Sequence, residues 1–205
     1  YTTLFRSILS IQNIIKKVGY QNQICKTPNQ LKNSKIIILP GVGSFDNAIK
    51  KLKNLGFLDE LNYYLNKKKI PFLGICLGMQ LLFEKSEEGI MPGFGWIKGN
   101  ITRFNFSNFS AKKNLKIPHM GWNTVKPKYY HDFFYRLYDE PRFYFVHSFH
   151  ANCINESDIL ATANYGYNFV CSVNYKNIWG VQFHPEKSHS NGYFFLKKFI
   201  NKYYA

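Results

Sequence analysis

Cys76 stands between Gly74 and Gly78, where an apolar run ends and a helical pattern begins. A G-x-C-x-G turn of this kind presents a thiol on a tight strand-to-helix bend, the cysteine counterpart of the serine nucleophile elbow. The bend is strained, and residues without a Cβ on either side let the backbone pass. A thiol there lies over the first helical N–H groups, whose partial positive charge favours thiolate over thiol. Alone, the pattern fits a buried structural cysteine as well. A nucleophile also needs a base.

The candidate base comes far downstream, in the run W-G-V-Q-F-H-P-E over residues 179–186. Val181 and Phe183 alternate with Gln182 as in a strand, which Pro185 ends by removing a donor. Residues two apart in an extended segment point the same way, so His184 and Glu186 are expected on one side. An imidazole held by a carboxylate keeps one tautomer and is stabilised when it takes a proton. Cys76, His184 and Glu186 are thus the expected nucleophile, base and orienting acid, in the chain order of α/β enzymes with an elbow. In isolation, H-P-E would suit a structural histidine beside an exposed glutamate. The elbow tips it towards catalysis.

G-I-C-L-G-M-Q at 74–80 together with H-P-E at 184–186 resembles the class I, triad-type glutamine amidotransferases. Further blocks resemble one branch, the glutaminase subunit of imidazole glycerol phosphate synthase. They are P-G-V-G-S-F at 40–45, C-L-G-M-Q-L-L-F-E at 76–84, S-E-E-G at 86–89, I-P-H-M-G-W-N at 117–123, V-H-S at 146–148 and H-P-E-K-S at 184–188. I-P-H-M-G-W-N discriminates most, because sister glutaminases share the elbow and H-P-E but not this segment.

The resemblance implies hydrolysis of the glutamine side-chain amide through a thioester on Cys76, without metal or organic cofactor. It implies oxyanion donors at the Leu77 N–H and in the loop carrying Val42 and Gly43, and substrate binding by Gln80, Glu88, His147 and Ser148. The family commonly has tyrosine after that serine, where this chain has Phe149. It also implies a heterodimer with a TIM-barrel cyclase that receives the ammonia, met by Met120, Trp122, Asn123 and Lys187. Three rival readings stand beside it: a glutaminase serving anthranilate, guanylate or pyridoxal phosphate synthesis, a catalytically inactive binding subunit, and a basic nucleic-acid-binding module.

With 205 residues, 45% hydrophobic and 18% aromatic, the chain is expected to form one domain over 1–205 rather than a disordered segment. No apolar run approaches the ~20 residues of a membrane span, and no charged-then-apolar leader opens the sequence. Cys25, Cys76, Cys153 and Cys171 show no C-x-x-C pair or metal spacing, which fits a reducing, cytoplasmic setting. The net charge of +15 raises the question of nucleic acid. Yet the lysines are scattered, and the longest run, Lys67 to Lys69, ends a helical pattern where cations suit the dipole. Neither nucleic acid nor membrane is expected as a partner. The surplus charge would favour a more acidic protein.

The elements that must position these residues follow from periodicity. Ile8, Ile11, Ile14, Ile15 and Val18 predict a helix capped by Gly19. Residues 36–39 predict a buried parallel strand, followed by a helix capped by Ser44 or Asp46, running through Asn54 and stopping at Gly56. Leu58, Leu61 and Leu65 continue a helical face, residues 70–75 form the next strand, and the elbow helix runs from Gly78 to about Glu84. Trp96, Ile101, Phe104 and residues 116–125, 142–148, 158–165 and 170–175 read as short strands. A closing helix over 191–203 buries Phe194, Phe195, Phe199 and Ile200. The expected class is α/β, a doubly wound, mostly parallel sheet with flanking helices and an additional antiparallel sheet, as in class I glutamine amidotransferases. Residues 1–7 depart from the family, whose first strand and Asp-Tyr-Gly turn have no counterpart beyond Tyr1 and Arg6-Ser7. A missing core strand bears on stability more than on chemistry.

Overall fold

In the computed structural model, residues 2–107, 115–129, 133–134 and 140–204 are described. Tyr1, the first point of contact with the family pattern, lies outside them.

The chain opens with helix α1 (Thr2–Val18), ended by Gly19 at φ +102°. Tyr20 N–H donates to Ile15 O and Gly19 N–H to Lys16 O, the paired C-terminal capping bonds that need a left-handed residue. Strand β1 (Ile37–Gly41), helices α2 (Phe45–Asn54) and α3 (Phe57–Asn62), and a π-turn (Tyr63–Lys67) lead to strand β2 (Phe72–Cys76). Helix α4 (Leu77–Gln80), strands β3 (Lys85–Ser86), β4 (Gly99–Arg103), β5 (His119–Pro127), β6 (Arg142–His147), β7 (Phe149–Cys153), β8 (Ile159–Tyr165), β9 (Tyr167–Tyr175) and β10 (Ile178–Val181) follow, and helix α5 (His189–Tyr204) closes the chain.

One sheet path runs β1-β2-β10-β9-β7-β4-β3. β2 lies parallel between β1 and β10, with Gly41 opposite Cys76 and Val181 opposite Ile75. This puts the ends of β1, β2 and β10 side by side, where open α/β sheets place their ligands. Beyond β10 the pairing is antiparallel through β9, β7 and β4. β5 bridges off this path, pairing β6 through its first half and β8 through residues 125–127.

Alternation along β2 feeds two layers. Leu73 and Ile75 join a cluster with Phe195, Leu196 and Phe199 of α5 and with Phe143, Phe145 and Phe183. Phe72 faces the other way, with Phe57 and Leu61 of α3, Leu65 and Met79. Helices therefore cover both faces of the parallel strands, as the sequence predicts. Among the described residues no helix is long and apolar enough to cross a membrane.

Several local expectations are corrected. The elbow helix does not reach Glu84 but stops at Gln80, because the following loop captures the next carbonyls: Phe94 N–H donates to Leu81 O, Ile97 to Leu82 O, Gly95 to Phe83 O and Gly93 to Glu84 O. Neither Ser44 nor Asp46 caps α2 by its side chain. Glu88 Oε2 accepts from Phe45 N at 3.0 Å, and Asp46 accepts from Ile90 and Met91 N–H. Trp96 and Phe104 flank β4 instead of lying on strands. In α5, Phe194 is only partly buried and Leu196 takes the core position, as an i, i+1, i+4, i+5 stripe of 195, 196, 199 and 200 requires.

Candidate active site

Cys76 is the last residue of β2 and precedes the first helical residue of α4, with φ +55° and ψ −110°. A non-glycine residue at positive φ is strained, and such strain concentrates at functional turns. The bend demands glycine at 78: a Cβ there would overlap the Leu39 carbonyl of β1. Cys76 is 7% exposed.

His184 and Glu186 lie beyond β10, which ends at Val181. The expected strand through Phe183 is not formed. Instead Pro185–Lys187 makes a 3-10 turn with His184 as its N-cap, and Lys187 N–H donates to His184 O. The turn, and no extended segment, brings His184 Nδ1 to 2.8 Å from Glu186 Oε1, both side chains 1% exposed. Ser188 anchors it: its hydroxyl donates to His184 O at 2.6 Å and accepts from Tyr144 N at 3.0 Å. His184 N–H donates to Tyr144 O.

With Nδ1 taken by Glu186, Nε2 is the nitrogen left to face Cys76. Nε2 is buried with only the Cys76 sulfur to interact with, while Glu186 Oε2 is buried with no hydrogen-bond partner. Burial opposes charge on the His184 ring. The charge and hydrogen bond of Cys76, followed by those of Glu186, outweigh it and raise its pKa from 6.5 to about 10. This raised pKa favours the protonated ring, which can then give up a proton during the reaction. The arrangement resembles the triads in which one group holds the ring and another exchanges its proton.

Gln182, read from sequence only as an alternating strand residue, is completely buried and donates from Nε2 to Cys76 Sγ at 3.6 Å. Its Oε1 accepts from Gln80 Nε2 at 3.0 Å, and the same Gln80 nitrogen donates to Phe149 O at 3.1 Å. Gln80, expected to meet substrate, thus has its donor committed inside the protein. Glu88 is half-buried at the first turn of α2; burial and the neighbouring Asp46 raise its pKa, against the Phe45 N–H.

His147 is held by two hydrogen bonds of its own. Its Nε2 meets His119 Nδ1 at 3.0 Å and its Nδ1 donates to Phe149 O at 2.8 Å. Asn123 Nδ2 contacts His119 Nε2 at 3.3 Å. Burial lowers the pKa of His147 well below 6.5 and that of His119 to about 4, so both are neutral. Ser148 and Phe149 are partly buried at the β6–β7 corner. Leu77 opens α4, and Val42 and Gly43, the latter at φ +106°, leave β1 directly beside the elbow through the Gly41–Cys76 register.

The residues expected to meet a partner divide. Met120 and Trp122 are 62% and 40% exposed on the outer side of β5, Trp122 stacked on His189 at 5.3 Å. Exposed Lys187 lies 5.8 Å over the Tyr144 ring, next to Trp122. Asn123 faces the opposite side of the strand, bonded to Asn164 O at 2.8 Å. Among the described residues no group of three or more His, Cys, Asp or Glu side chains is arranged to hold a metal ion.

The family described as glutamine amidotransferase class-I matches residues 3–202. The chain is 45% identical over 195 residues to the imidazole glycerol phosphate synthase subunit HisH of Leptospira interrogans, covering 95% of both chains. It is 43% identical over 193 residues to the HisH of Bdellovibrio bacteriovorus, covering 94% of each. Among solved structures, a glutamine amidotransferase superposes with TM-score 0.68 at 16% identity, over 96% of this chain and 94% of that one. The glutaminase domain of Trypanosoma brucei CTPS with bound acivicin gives 0.63 at 16%, over 96% and 87%. These two show a shared fold.

Proposed function

Because the chain belongs to the class-I glutamine amidotransferase family, we infer that it hydrolyses glutamine to glutamate and ammonia as the HisH-type glutaminase subunit of an imidazole glycerol phosphate synthase, in histidine biosynthesis. The observation that carries the site assignment is the His184 ring, held at Nδ1 by Glu186 and raised in pKa by Cys76.

In this reading the Cys76 sulfur attacks the side-chain amide carbon of glutamine, and the carbonyl oxygen becomes an oxyanion. The N–H of Leu77 and a peptide unit of the Val42-Gly43 loop face that oxygen, each donor contributing on the order of 3 kcal/mol to the transition state. His184 passes its proton to the departing nitrogen, releasing ammonia and leaving a thioester. Water then attacks the thioester carbon, His184 takes the water's proton, and glutamate leaves as the sulfur is restored. Glu186 keeps the ring in place through both steps.

Gln80 would meet the substrate's ammonium through its carbonyl oxygen, since its nitrogen donates elsewhere. Glu88 supplies negative charge at the same end, and backbone groups of His147 and Ser148 receive the α-carboxylate. We read the 205 residues as one unit, which the continuous sheet supports. Free ammonia would protonate and escape, so the reaction is useful when coupled to a cyclase subunit. Met120, Trp122 and Lys187 offer the apolar and cationic anchors of such an interface. Asn123 lies behind it, as a support for His119 and for Asn164.

The test is ammonia release from glutamine with and without the cyclase subunit of an imidazole glycerol phosphate synthase, for the natural chain and for Cys76→Ala. Low basal turnover, strong activation and none for the variant are expected. Equal turnover in both proteins would remove the nucleophile assignment, and activation only by an anthranilate or guanylate synthase partner would move the chain to a sister pathway.

A further inference from the structure

Beside the triad, one more side chain reaches the reacting sulfur, and it does so from a position with no solvent access. Gln182 is 0% exposed, yet it is a primary amide, a group that is costly to bury unless its donors and acceptor are met. Its oxygen is met by Gln80, four residues after the nucleophile on the elbow helix. Its nitrogen donates to Cys76 Sγ at 3.6 Å. A neutral thiol is a weak acceptor, whereas a thiolate is a charged one, and hydrogen bonds to a charged form favour that form. Besides His184, the sulfur has Val146 O nearby, which would take a proton from a neutral thiol but lies at 4.0 Å. The shorter of the two contacts is thus the one in which the sulfur accepts.

We propose that Gln182 is a further residue acting directly on the nucleophile, its amide donating to the Cys76 thiolate, with Gln80 as the positioning residue that fixes the amide's orientation. The inference rests on the reading of Cys76 as nucleophile. The orientation follows from a chain of donors that admits one direction. Phe149 O accepts from both His147 Nδ1 and Gln80 Nε2, so Gln80 presents its nitrogen inward; Gln182 must then turn its oxygen to Gln80 and its nitrogen to the sulfur. The main chain of Gln182 is held as well, its N–H donating to Cys171 O of β9 at 2.9 Å. A rotated amide would set carbonyl oxygen against sulfur and repel the thiolate.

The experiment is alkylation of the whole chain by iodoacetamide across a pH series, with adducts mapped by mass spectrometry to each of the four cysteines. Replacing Gln182 by Met keeps the volume and removes the donor. Alkylation of Cys76 at neutral pH should slow about tenfold, the usual weight of one hydrogen bond to a charged group, and the gap should close at alkaline pH. A merely structural role would lower the fraction folded without such a pH-dependent gap. Gln80→Met should give a smaller slowing in the same direction. If Gln182→Met does not fold, Gln182→Glu, which puts an acceptor oxygen beside the sulfur, should slow the reaction at least as much. A folded Gln182 variant whose Cys76 profile superposes on that of the natural chain overturns the proposal. If Cys76 of the natural chain is unreactive at every pH while Cys25 reacts, the nucleophile reading itself fails, and the proposal with it.

Discussion

His184 Nδ1 lies 2.8 Å from Glu186 Oε1, in a 3-10 turn that Ser188 ties to Tyr144. A buried carboxylate in that position orients the ring and stabilises its charge. Glu186→Gln preserves size but loses the charge, so turnover with the partner should fall by roughly 10²–10⁴-fold with KM little changed. Steady-state ammonia release measures this. A loss of under about threefold would show that Glu186 is a structural residue.

The same ring carries a pH dependence of stability. Its pKa is raised in the fold, from 6.5 to about 10, so its contribution is present in full below 6.5 and is lost as pH rises through about 10. Denaturant midpoints should therefore fall over that window in the natural chain and fall less in His184→Asn. Parallel curves for the two would contradict the raised value.

His119 works in the opposite sense. It is neutral in the fold, with its pKa lowered by burial to about 4. Its contribution is present above 6.5 and is lost as pH drops through about 4, by roughly 2 kcal/mol between pH 7 and 5. Burial also lowers His147 and His150, which adds to the trend. Urea melts of the natural chain and of His119→Phe, compared across this range, should converge at acid pH. An acid-insensitive natural chain would be the contrary result.

At the elbow, Gly78→Ala drives a methyl group into the Leu39 carbonyl, a neighbouring strand that cannot move without opening the β1–β2 pair. A loss of about 3 kcal/mol in stability is expected. The midpoint of chemical unfolding reports it. A change below about 0.5 kcal/mol would mean that the bend is looser than described.

On the outer face of β5, Trp122→Ala should weaken association with a cyclase partner by about 30-fold, the effect of one interface anchor, while leaving unfolding cooperative. Titration calorimetry against that partner decides it. Unchanged affinity would place the interface elsewhere.

What was legible in sequence was local chemistry. Gly74, Cys76 and Gly78 announce a strained turn because each residue's own backbone requirement is visible, and the apolar runs around 37–39 and 72–75 read as buried strands for the same reason. H-P-E was legible as a pair, although the turn that joins it was read as a strand, since Pro185 both ends strands and starts helical turns. The partners that decide the rest are distant along the chain. Gln182 reaches Cys76 across 106 positions, and Glu88 caps α2 across 43. The elbow helix stops short because a loop 9 to 15 residues on supplies N–H groups, which no periodicity in 78–84 records. Asn123 was grouped with Met120 and Trp122 by motif, although strand alternation alone separates them.

The most direct measurement is labelling with a diazo-ketone analogue of glutamine in the presence of the cyclase subunit, followed by peptide mapping. A single adduct on Cys76, suppressed by glutamine and abolished by His184→Ala, is the expected result. Adducts spread over Cys25, Cys153 and Cys171, or none at all on Cys76, would contradict a nucleophile at the elbow.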